Sequence, residues 1–392
     1  MAGVLSFEDH SMSEFTHLNA SSPDVIVIGG GVIGLSIAWE LAGQGASVRM
    51  LEQGQFGQEA SWAGAGILPP GNPEWARSPE AQLRAASHVL WNGWTERLRA
   101  ETGIDNGYMR CGGIEVRPNG SPPELDAEVS AWRAEGVIVE TPDFDELRDR
   151  YPSLHPNITS GYVLPELGQV RNPRHLKALL SACASRGVDL RAGSPVVAFD
   201  RHGERITAAR TTREEHLAAE FVVAGGAWSR DLLRQAGHDL AIEPVRGQIV
   251  LLEARPLPFR SVIQVGARYL VPRADGRILI GSTEEHAGFD KRNTAEAVAS
   301  LIDFACGLVP SLSDARFERC WSGLRPHLQC GLPHIGRLPG TTNLSVAAGH
   351  FRAGLQLSPI TAVMVANTIL GHSPNALKPQ IGSNTAMVSG LR

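Results

Sequence analysis

The sequence predicts an α/β fold in which a discontinuous, parallel-sheet nucleotide domain is joined to a second domain of α+β type, built on an antiparallel sheet. Three observations lead to this prediction. A glycine-rich turn follows a short apolar strand near the N-terminus, strand and helix patterns alternate again over residues 172–229, and hairpin patterns dominate residues 245–281. At 392 residues, 43% of them hydrophobic, the chain is long enough for two packed domains.

The first elements form a strand–helix–strand pattern. Residues 24–28 are a short, β-branched, apolar run, which is typical of a buried parallel strand. A helical pattern covers residues 35–42, and a second apolar strand covers residues 47–51. Because the glycine-rich turn lies between the first strand and the helix, the order predicts a Rossmann-type unit.

The turn has the spacing G-x-G-x-x-G, with glycines at Gly29, Gly31 and Gly34, and Glu52 ends the second strand. In this motif the first glycine permits a tight turn, the second lets a pyrophosphate approach the backbone, and the third lets helix and strand pack closely. The helix N-terminus then attracts the phosphates. The pattern predicts a dinucleotide site, in which Glu52 accepts hydrogen bonds from ribose hydroxyls.

The choice between NAD and FAD depends on residues 60–67, whose sequence is ASWAGAGI. Small residues suit a backbone that lies along an extended cofactor. Trp62 and Ile67 are too apolar for an ordinary flexible loop. The segment therefore favours FAD, and an NAD-dependent dehydrogenase is the more distant alternative.

The middle of the chain resumes the α/β pattern. Asn172 and Pro173 predict the N-cap and the first turn of a helix that ends at Gly187. Strand patterns follow at residues 188–190, 195–199 and 221–224. The parallel sheet that starts near the N-terminus is therefore predicted to be completed here, which makes the nucleotide domain discontinuous.

The second domain is predicted from a strand at residues 245–251 and a hairpin at residues 269–281, with the insert 86–149 joining it. We expect the FAD-binding domain to comprise residues 23–85, 150–228 and 322–372, and the substrate domain residues 86–149 and 229–321. Residues 1–22 are interpreted as a disordered extension and residues 373–392 as a polar tail.

A glycine-flanked loop near the C-terminus, residues 347–357, leads towards another predicted helix start. Ser358 is the expected N-cap and Pro359 the expected first-turn residue. Such a helix start offers N–H donors and a positive dipole end, which stabilise the negative charge that reduced flavin develops.

Composition excludes several other classes of protein. A net charge of −5 argues against non-specific nucleic-acid binding. The cysteines form no CxxC pair, and no His/Cys cluster has metal-ligand spacing, so neither a disulfide framework nor a metal site is expected. The sequence contains no run of about 18 apolar residues, so no integral membrane segment is expected. The N-terminus lacks the apolar core of a secretory signal. We expect a cytoplasmic protein.

Five motifs together resemble those of the D-amino-acid-oxidase-like family of FAD-dependent oxidoreductases, and within it the glycine oxidase branch of thiamine biosynthesis. The resemblance covers residues 23–371. The motifs are VIGGGVIG at residues 27–34, SWAGAG at 61–66, YLVPR at 269–273, GLRP at 323–326 and AGHFR at 348–352.

Together with the glycine motif, the resemblance implies a set of non-covalent FAD contacts. These are Gly29, Gly31, Val32, Ile33, Gly34, Glu52, Gln53, Ala60, Ser61, Ala65, Gly66, Ile67, Val196, Gly225, His350, Phe351, Arg352, Ala353, Gly354, Leu355 and Gln356. Covalent attachment occurs in the related sarcosine oxidases, but Cys330 is offset from the corresponding position, so a covalent link is not expected.

The resemblance also implies a substrate site. Arg325 matches the arginine that binds the substrate carboxylate, Tyr269 a tyrosine that bonds the same group, and Arg352 a second active-site arginine. A guanidinium suits this role because its planar fork makes two parallel charge-assisted bonds. Two positions depart from the family pattern: Ile67 replaces a methionine beside the flavin, and Ala267 stands where some relatives can carry histidine.

The implied activity is oxidative deamination of a small amino acid, glycine first, with O₂ as electron acceptor and hydrogen peroxide as product. Three alternatives stay open: a D-amino-acid dehydrogenase, a sarcosine-type amine oxidase, and a non-catalytic flavin-binding protein. The sequence is compatible with a homo-oligomer and does not determine the preferred amine.

Overall fold

The computed structural model describes residues 22–117 and 122–372. The expected tail at residues 373–392 and all but the last residue of the expected N-terminal extension lie outside the described residues. The helices are α1 (Val32–Gly43), α2 (Ala60–Ala63), α3 (Pro79–Thr102), α4 (Pro122–Ala134), α5 (Phe144–Arg150), α6 (Asn172–Ser185), α7 (Ser229–Gln235), α8 (Ala295–Leu308) and α9 (Gly354–Leu370).

The strands alternate with these helices along the chain. They are β1 (Val25–Ile28), β2 (Val48–Leu51), β3 (Ile67–Leu68), β4 (Met109–Arg110), β5 (Gly113–Val116), β6 (Gly161–Leu164), β7 (Gly168–Gln169), β8 (Asp189–Arg191), β9 (Val196–His202), β10 (Arg205–Thr211), β11 (Glu215–Leu217), β12 (Glu220–Val223), β13 (Ile242–Glu253), β14 (Val262–Val265), β15 (Arg268–Pro272), β16 (Arg277–Gly281), β17 (Arg316–Leu328), β18 (His334–Arg337) and β19 (Leu344–Ala348).

The predicted nucleotide-type sheet is present, with six strands in the order β18-β19-β12-β1-β2-β8. All neighbours are parallel except β18 and β19. The apolar run of β1 is buried on both faces, as its β-branched composition requires. Helices α1, α6 and α9 contribute to the core on one face through Leu35, Leu179 and Val365. The small sheet β11-β10-β9 and helix α7 contribute to the core on the other face.

The order of the strands reverses direction at β1. The chain adds β2 and then β8 on one side of β1, whereas β12 and β19 come later and lie on the other side. Helices on opposite sides of such a reversal leave a crevice at the carboxyl ends of the strands, which is where ligands bind in open α/β sheets. The fold therefore places a crevice beyond Ile28 and Val223.

A second sheet has seven strands in the order β17-β13-β16-β15-β14-β5-β6. Its neighbours are antiparallel except β14 and β5, which are parallel. The two long strands β13 and β17 pair along their whole length, from Ile242 opposite Leu328 to Glu253 opposite Arg316. Helix α8 packs on one face of this sheet, and its Leu301 and Ala305 are fully buried. This sheet confirms the hairpin predicted over residues 269–281.

Three elements run across or outside the predicted domain limits. Helix α3 continues through the limit at residue 85, because Trp91, Trp94 and Leu98 are buried beside the nucleotide sheet's helices. Strand β17 continues through residue 321, because it pairs with β13 throughout. Strand β6, expected with the nucleotide segments, pairs with β5 in the seven-stranded sheet. The division into two domains stays a prediction.

Two predicted helix starts are wrong. The cap of α6 is Arg171, and Asn172 is the first helical residue, with its side chain turned to other partners. Helix α9 starts at Gly354, so Pro359 lies inside it. Proline has no N–H to bond the carbonyl of Leu355, and the Ser358 hydroxyl donates to that carbonyl instead, at 2.9 Å. Ser358 therefore satisfies a carbonyl that Pro359 leaves free.

No helix within residues 22–117 and 122–372 is long and apolar enough to cross a membrane.

Candidate active site

A cavity of about 680 Å³ opens where the crevice of the first sheet meets one face of the second. Ile28, Leu51 and Ala224 line it from the carboxyl ends of the parallel strands, and Ile249 and Tyr269 line it from the seven-stranded sheet. Every residue that the sequence predicts for the site lines this cavity, except Gly34. The structure therefore brings together residues from position 29 to position 356.

The glycine motif shapes the inner wall of the cavity. Gly29 has a φ of 113°, and a β-carbon on it would lie 2.3 Å from the carbonyl oxygen of Ala224. A β-carbon on Gly34 would lie 1.9 Å from the carbonyl oxygen of Gly29. Gly34 is thus absent from the lining because it serves the packing of α1 on β1, which is the role predicted for the third glycine.

Glu52 fixes this turn from the end of β2. Its Oε2 accepts a hydrogen bond from the Gly30 N–H at 2.7 Å, and its Oε1 accepts one from the Gly54 N–H at 2.8 Å. The carboxylate is almost fully buried and lines the cavity. Each carboxylate oxygen keeps a second lone pair, so Glu52 can also accept a hydroxyl from a ligand.

The N-terminus of α1 faces the cavity with free donors. The Val32 N–H donates to the Ser61 hydroxyl at 2.9 Å, and Leu35 is the first residue of this helix to donate to a backbone carbonyl, that of Gly31. Within the described part of the chain, the Ile33 N–H has no acceptor. The cap residue, Gly31, has no side chain that could accept the other N–H groups of the first turn. Free N–H groups and the positive dipole end together make an anion site.

Asn172 is a cavity residue that the sequence prediction missed. Its Nδ2 donates to the carbonyls of Ser61 and Gly64, at 3.0 and 2.8 Å, which holds the small-residue segment in place. Its Oδ1 is buried without a hydrogen-bond partner among the described residues, although the residue is only 1% exposed. A β-carbon on Gly66 would lie 2.4 Å from that oxygen. The Asn-Pro pair is also a common helix start, so no local signal identifies this role.

A second helix N-terminus, that of α9, also faces the cavity. The preceding loop is held by the Phe351 N–H, which donates to the Pro326 carbonyl at 2.9 Å, and Phe351 has a φ of 48°. A non-glycine residue in this region is strained and is often found at functional sites. Ala353, the cap position, provides no side-chain acceptor. The N–H groups at the start of α9 are therefore available to a ligand.

His350 connects this loop to helix α9. Its Nε2 lies 3.0 Å from the Thr361 hydroxyl, and burial lowers the pKa of its imidazole to about 3. The ring is therefore neutral at physiological pH. Gln356 anchors the next turn, since its carbonyl accepts bonds from the Ser87 hydroxyl and the Trp91 indole.

Arg325 extends from β17 into the cavity. Its Nη1 donates to the Thr283 carbonyl at 3.1 Å, and its Nη2 donates to the Ser282 hydroxyl at 2.5 Å. No Asp or Glu oxygen of the described residues lies within 4.0 Å of its guanidinium. Burial lowers the pKa of Arg325, while neighbouring Tyr269 and Glu285 oppose this shift. The result is a half-buried cation without a carboxylate partner.

Arg352 lies at the mouth of the same cavity and differs from Arg325. Its guanidinium forms an ion pair with Glu284, and the two side chains are 37% and 42% exposed. It also lies over the ring of Phe351, with 5.4 Å between the guanidinium carbon and the ring centroid. The two arginines therefore differ, because among the described residues Arg352 has a carboxylate partner, Glu284, and Arg325 has none.

Other lining residues were not predicted. Three of them are Trp228, Gln264 and Ser282. They reach the cavity only because the two sheets pack together. None of the cysteines, which all lie among the described residues, lines the cavity, and Cys330 is exposed. No group of His, Cys, Asp or Glu in residues 22–117 and 122–372 has the geometry of a metal site.

Comparisons with known proteins agree with this geometry. The family model "DAO: FAD dependent oxidoreductase" matches residues 24–368. The chain is similar to the glycine oxidase of Pseudomonas putida, with 38% identity over 90% of this chain and 96% of that protein. It is similar to the bifunctional protein ThiO/ThiG of Synechocystis, with 34% identity over 91% of this chain and 53% of that protein. The crystal structure of glycine oxidase from Geobacillus kaustophilus superposes with a TM-score of 0.85, at 33% identity over 93% of this chain and 99% of that chain.

Proposed function

The chain belongs to the DAO family of FAD-dependent oxidoreductases, and on that basis we propose that it oxidises glycine to glyoxylate and ammonia. The net reaction consumes glycine, O₂ and water and yields glyoxylate, ammonia and hydrogen peroxide. The relatives named glycine oxidase support this substrate. The single observation that carries the proposal is the cation of Arg325, which faces the cofactor cavity and has no carboxylate partner among the described residues.

The residues present fit FAD. The glycine turn and the free N–H of Ile33 suit the pyrophosphate. Glu52 suits the ribose, and the orphaned Oδ1 of Asn172 offers an acceptor to a hydroxyl or N–H of the cofactor. The start of α9 supplies N–H donors for the flavin end. When bound, FAD accepts a hydride equivalent from the amino-acid Cα and passes the electrons to O₂.

The substrate's carboxylate is assigned to Arg325 and Tyr269. Arg325 binds one or both carboxylate oxygens through its guanidinium fork, and the Tyr269 hydroxyl donates to the same group. Both side chains belong to one sheet, on β17 and β15 with β13 and β16 between them, which fixes the Cα of the bound amino acid. Precise positioning of this kind can supply much of the rate enhancement.

Two further assignments concern the size of the pocket and its entrance. Ile67 lines the cavity, and we assign it to the flavin side, where its branched side chain would limit the room for a substrate side chain. Arg352 is assigned to the entrance, since its ion pair with Glu284 lies at the rim. We assign no acid–base side chain, because His350 is neutral and engaged with Thr361.

The experiment that tests the proposal is anaerobic addition of glycine to the purified holoenzyme while the flavin absorption is recorded. Bleaching by glycine, followed by peroxide formation in air, supports the proposal. Bleaching only by sarcosine or a D-amino acid overturns glycine as substrate, and bleaching without peroxide in air overturns O₂ as acceptor. A flavin that no amine reduces overturns the enzymatic assignment.

Arg325→Ala gives the residue-level test of the same proposal. We expect kcat/KM for glycine to fall about 30-fold or more, because truncating one partner of a buried charge pair costs at least about 2 kcal/mol. The matched control is Arg316→Ala, on the same strand, whose side chain is 69% exposed. Equal activity in Arg325→Ala and the control would contradict the carboxylate assignment.

The proposal extends to the supply of thiamine thiazole synthesis. The similarity to the bifunctional protein ThiO/ThiG supports this extension. O₂ as acceptor, a cytoplasmic location and assembly into a homo-oligomer complete the proposal as expectations from the sequence.

A further inference from the structure

Two glycines interrupt the inner strands of the seven-stranded sheet where that sheet meets the cavity. Gly247 lies within β13, and Gly281 ends β16. Glycine weakens a strand because it lacks a side chain to pack, and it often marks a place where other groups approach the backbone closely. The stability of the sheet therefore does not explain why glycine occupies these two positions.

The guanidinium of Arg325 covers Gly247. A β-carbon on Gly247 would lie 2.2 Å from Nη2 of Arg325 and 2.4 Å from its Cζ. In the strand ladder Arg325 is opposite Val245, and Gly247 is opposite Gly323. The arginine side chain therefore reaches diagonally across the strand pair and lies on the bare backbone of Gly247.

The ring of Tyr269 covers Gly281 in the same way. The two residues are opposite each other in the ladder of β15 and β16. A β-carbon on Gly281 would lie 2.5 Å from Cε2, Cζ and the hydroxyl oxygen of Tyr269. The strand order β17-β13-β16-β15 places the two glycines between the arginine strand and the tyrosine strand. Two polar groups from β17 and β15 thus lie on two glycines of the strands between them, β13 and β16.

We propose that Gly247 and Gly281 are positioning residues of the carboxylate site. Each lets a polar group, the Arg325 guanidinium or the Tyr269 hydroxyl, lie flat on the sheet. A β-carbon at either position pushes that group into the space that the substrate occupies. This inference rests on the proposed function, in which these two groups bind the carboxylate of a small amino acid.

The atoms that a new β-carbon would meet distinguish these glycines from structural ones. At Gly247 and Gly281 they are the ends of side chains, which can move at little cost to the fold. At Gly161, in the same sheet, a β-carbon would lie 2.6 Å from the backbone carbonyl oxygen of Glu115, which cannot move without distorting a strand. Alanine at the two site glycines is therefore expected to disturb ligand binding more than folding.

The test compares Gly247→Ala and Gly281→Ala with the wild-type holoenzyme. Acetate, a bare carboxylate, is titrated against the flavin absorption, and KM and kcat are measured with glycine. We expect the acetate Kd and the glycine KM to rise about tenfold or more, since displaced charge-assisted bonds are worth at least about 1.5 kcal/mol. We expect kcat to change less, and FAD content and Tm to stay near wild type. Gly307→Ala in α8, where a β-carbon meets nothing within 4 Å, is the matched control.

A double-mutant cycle shows whether Gly247 acts through Arg325. The readout is the second-order rate constant of anaerobic flavin reduction by glycine, which needs no saturation. In an Arg325→Ala background, Gly247→Ala should have no further effect, because the displaced group is gone. An equal effect in both backgrounds, an unchanged acetate Kd, or loss of the fold in both alanine variants overturns the inference. A wild-type protein that binds acetate but oxidises no amine overturns the proposed function alone.

Discussion

At the scale of single residues, Asn172 connects the small-residue segment, residues 60–67, to helix α6. Its amide donates to two carbonyls of the segment, those of Ser61 and Gly64, and its own oxygen has no partner among the described residues. Buried polar atoms in proteins nearly always find a partner. The orphaned oxygen is therefore a further reason to place a ligand donor beside it, and FAD is the group expected there.

Asn172→Leu should weaken FAD binding while the protein still folds. The substitution leaves the two half-buried carbonyls of Ser61 and Gly64 without this donor and removes the acceptor, each costing about 1 kcal/mol or more. We expect the FAD Kd to rise at least about tenfold, measured by titrating the apoprotein with FAD and following flavin fluorescence. Asn92→Leu, at an exposed position of α3, is the control. A Kd within twofold of wild type would show that the segment holds its shape without the amide.

At the scale of elements, helices that begin with a side-chain cap differ from helices whose first turn faces the cavity. Helices α5 and α8 begin after Asp143 and Thr294, whose side chains accept N–H groups of the first turn. Helices α1 and α9 begin after Gly31 and Ala353, which provide no such acceptor. A cap would occupy the donors that a cofactor needs, so the usual start signal is missing where function requires free N–H groups.

This explains which parts of the site the sequence could predict. The start of α1 was predictable because the G-x-G-x-x-G spacing has its own backbone requirements. The start of α9 was misplaced, because Ser358 and Pro359 imitate a helix start inside the helix. Gly247 and Gly281 lay within correctly predicted strands, but their role depends on side chains from other strands. Contacts between residues distant in sequence leave no local pattern.

Arg273 follows directly after strand β15 and links the seven-stranded sheet to two neighbouring segments. Arg273 donates from Nη2 to the Ala65 carbonyl at 2.6 Å, and from Nη1 to the Val170 carbonyl and the Gln169 side-chain oxygen. It is only 6% exposed, and burial lowers its pKa to about 10. The buried cation of Arg273 thus connects the seven-stranded sheet to the small-residue segment and to β7.

Arg273→Met should destabilise the holoenzyme by about 3 kcal/mol or more, because it leaves three buried acceptors without donors. Urea unfolding followed by far-UV circular dichroism measures the change. Arg292→Met is the matched control, since that side chain is 87% exposed and its ion pair is worth little. A loss below about 1 kcal/mol would mean that water or neighbouring groups replace the bonds.

At the scale of the whole molecule, two buried histidines connect folding to pH. His175 on α6 and His350 before α9 are almost fully buried, and burial lowers the pKa of each to about 3. The unfolded chain returns each imidazole to a pKa near 6.5. Between about pH 6.5 and 3 the unfolded state therefore binds more protons than the folded state, so the free energy of unfolding falls as the pH is lowered through this window.

Because several groups titrate in this range, a variant is needed to isolate one histidine. His175 lies outside the cavity lining, and its Nδ1 is 3.1 Å from the Asn106 amide, a contact that glutamine can replace. His175→Gln should reduce the loss of stability between pH 6.5 and 5 by about 1.6 kcal/mol, because the unfolded imidazole goes from half protonated to almost fully protonated over this range while the folded one stays neutral. Urea unfolding of the holoenzyme at both pH values measures this, with the exposed His202→Gln as control. If the two variants show the same pH dependence, His175 must be protonated in the folded protein, and the α6 core must admit a charge that its burial argues against.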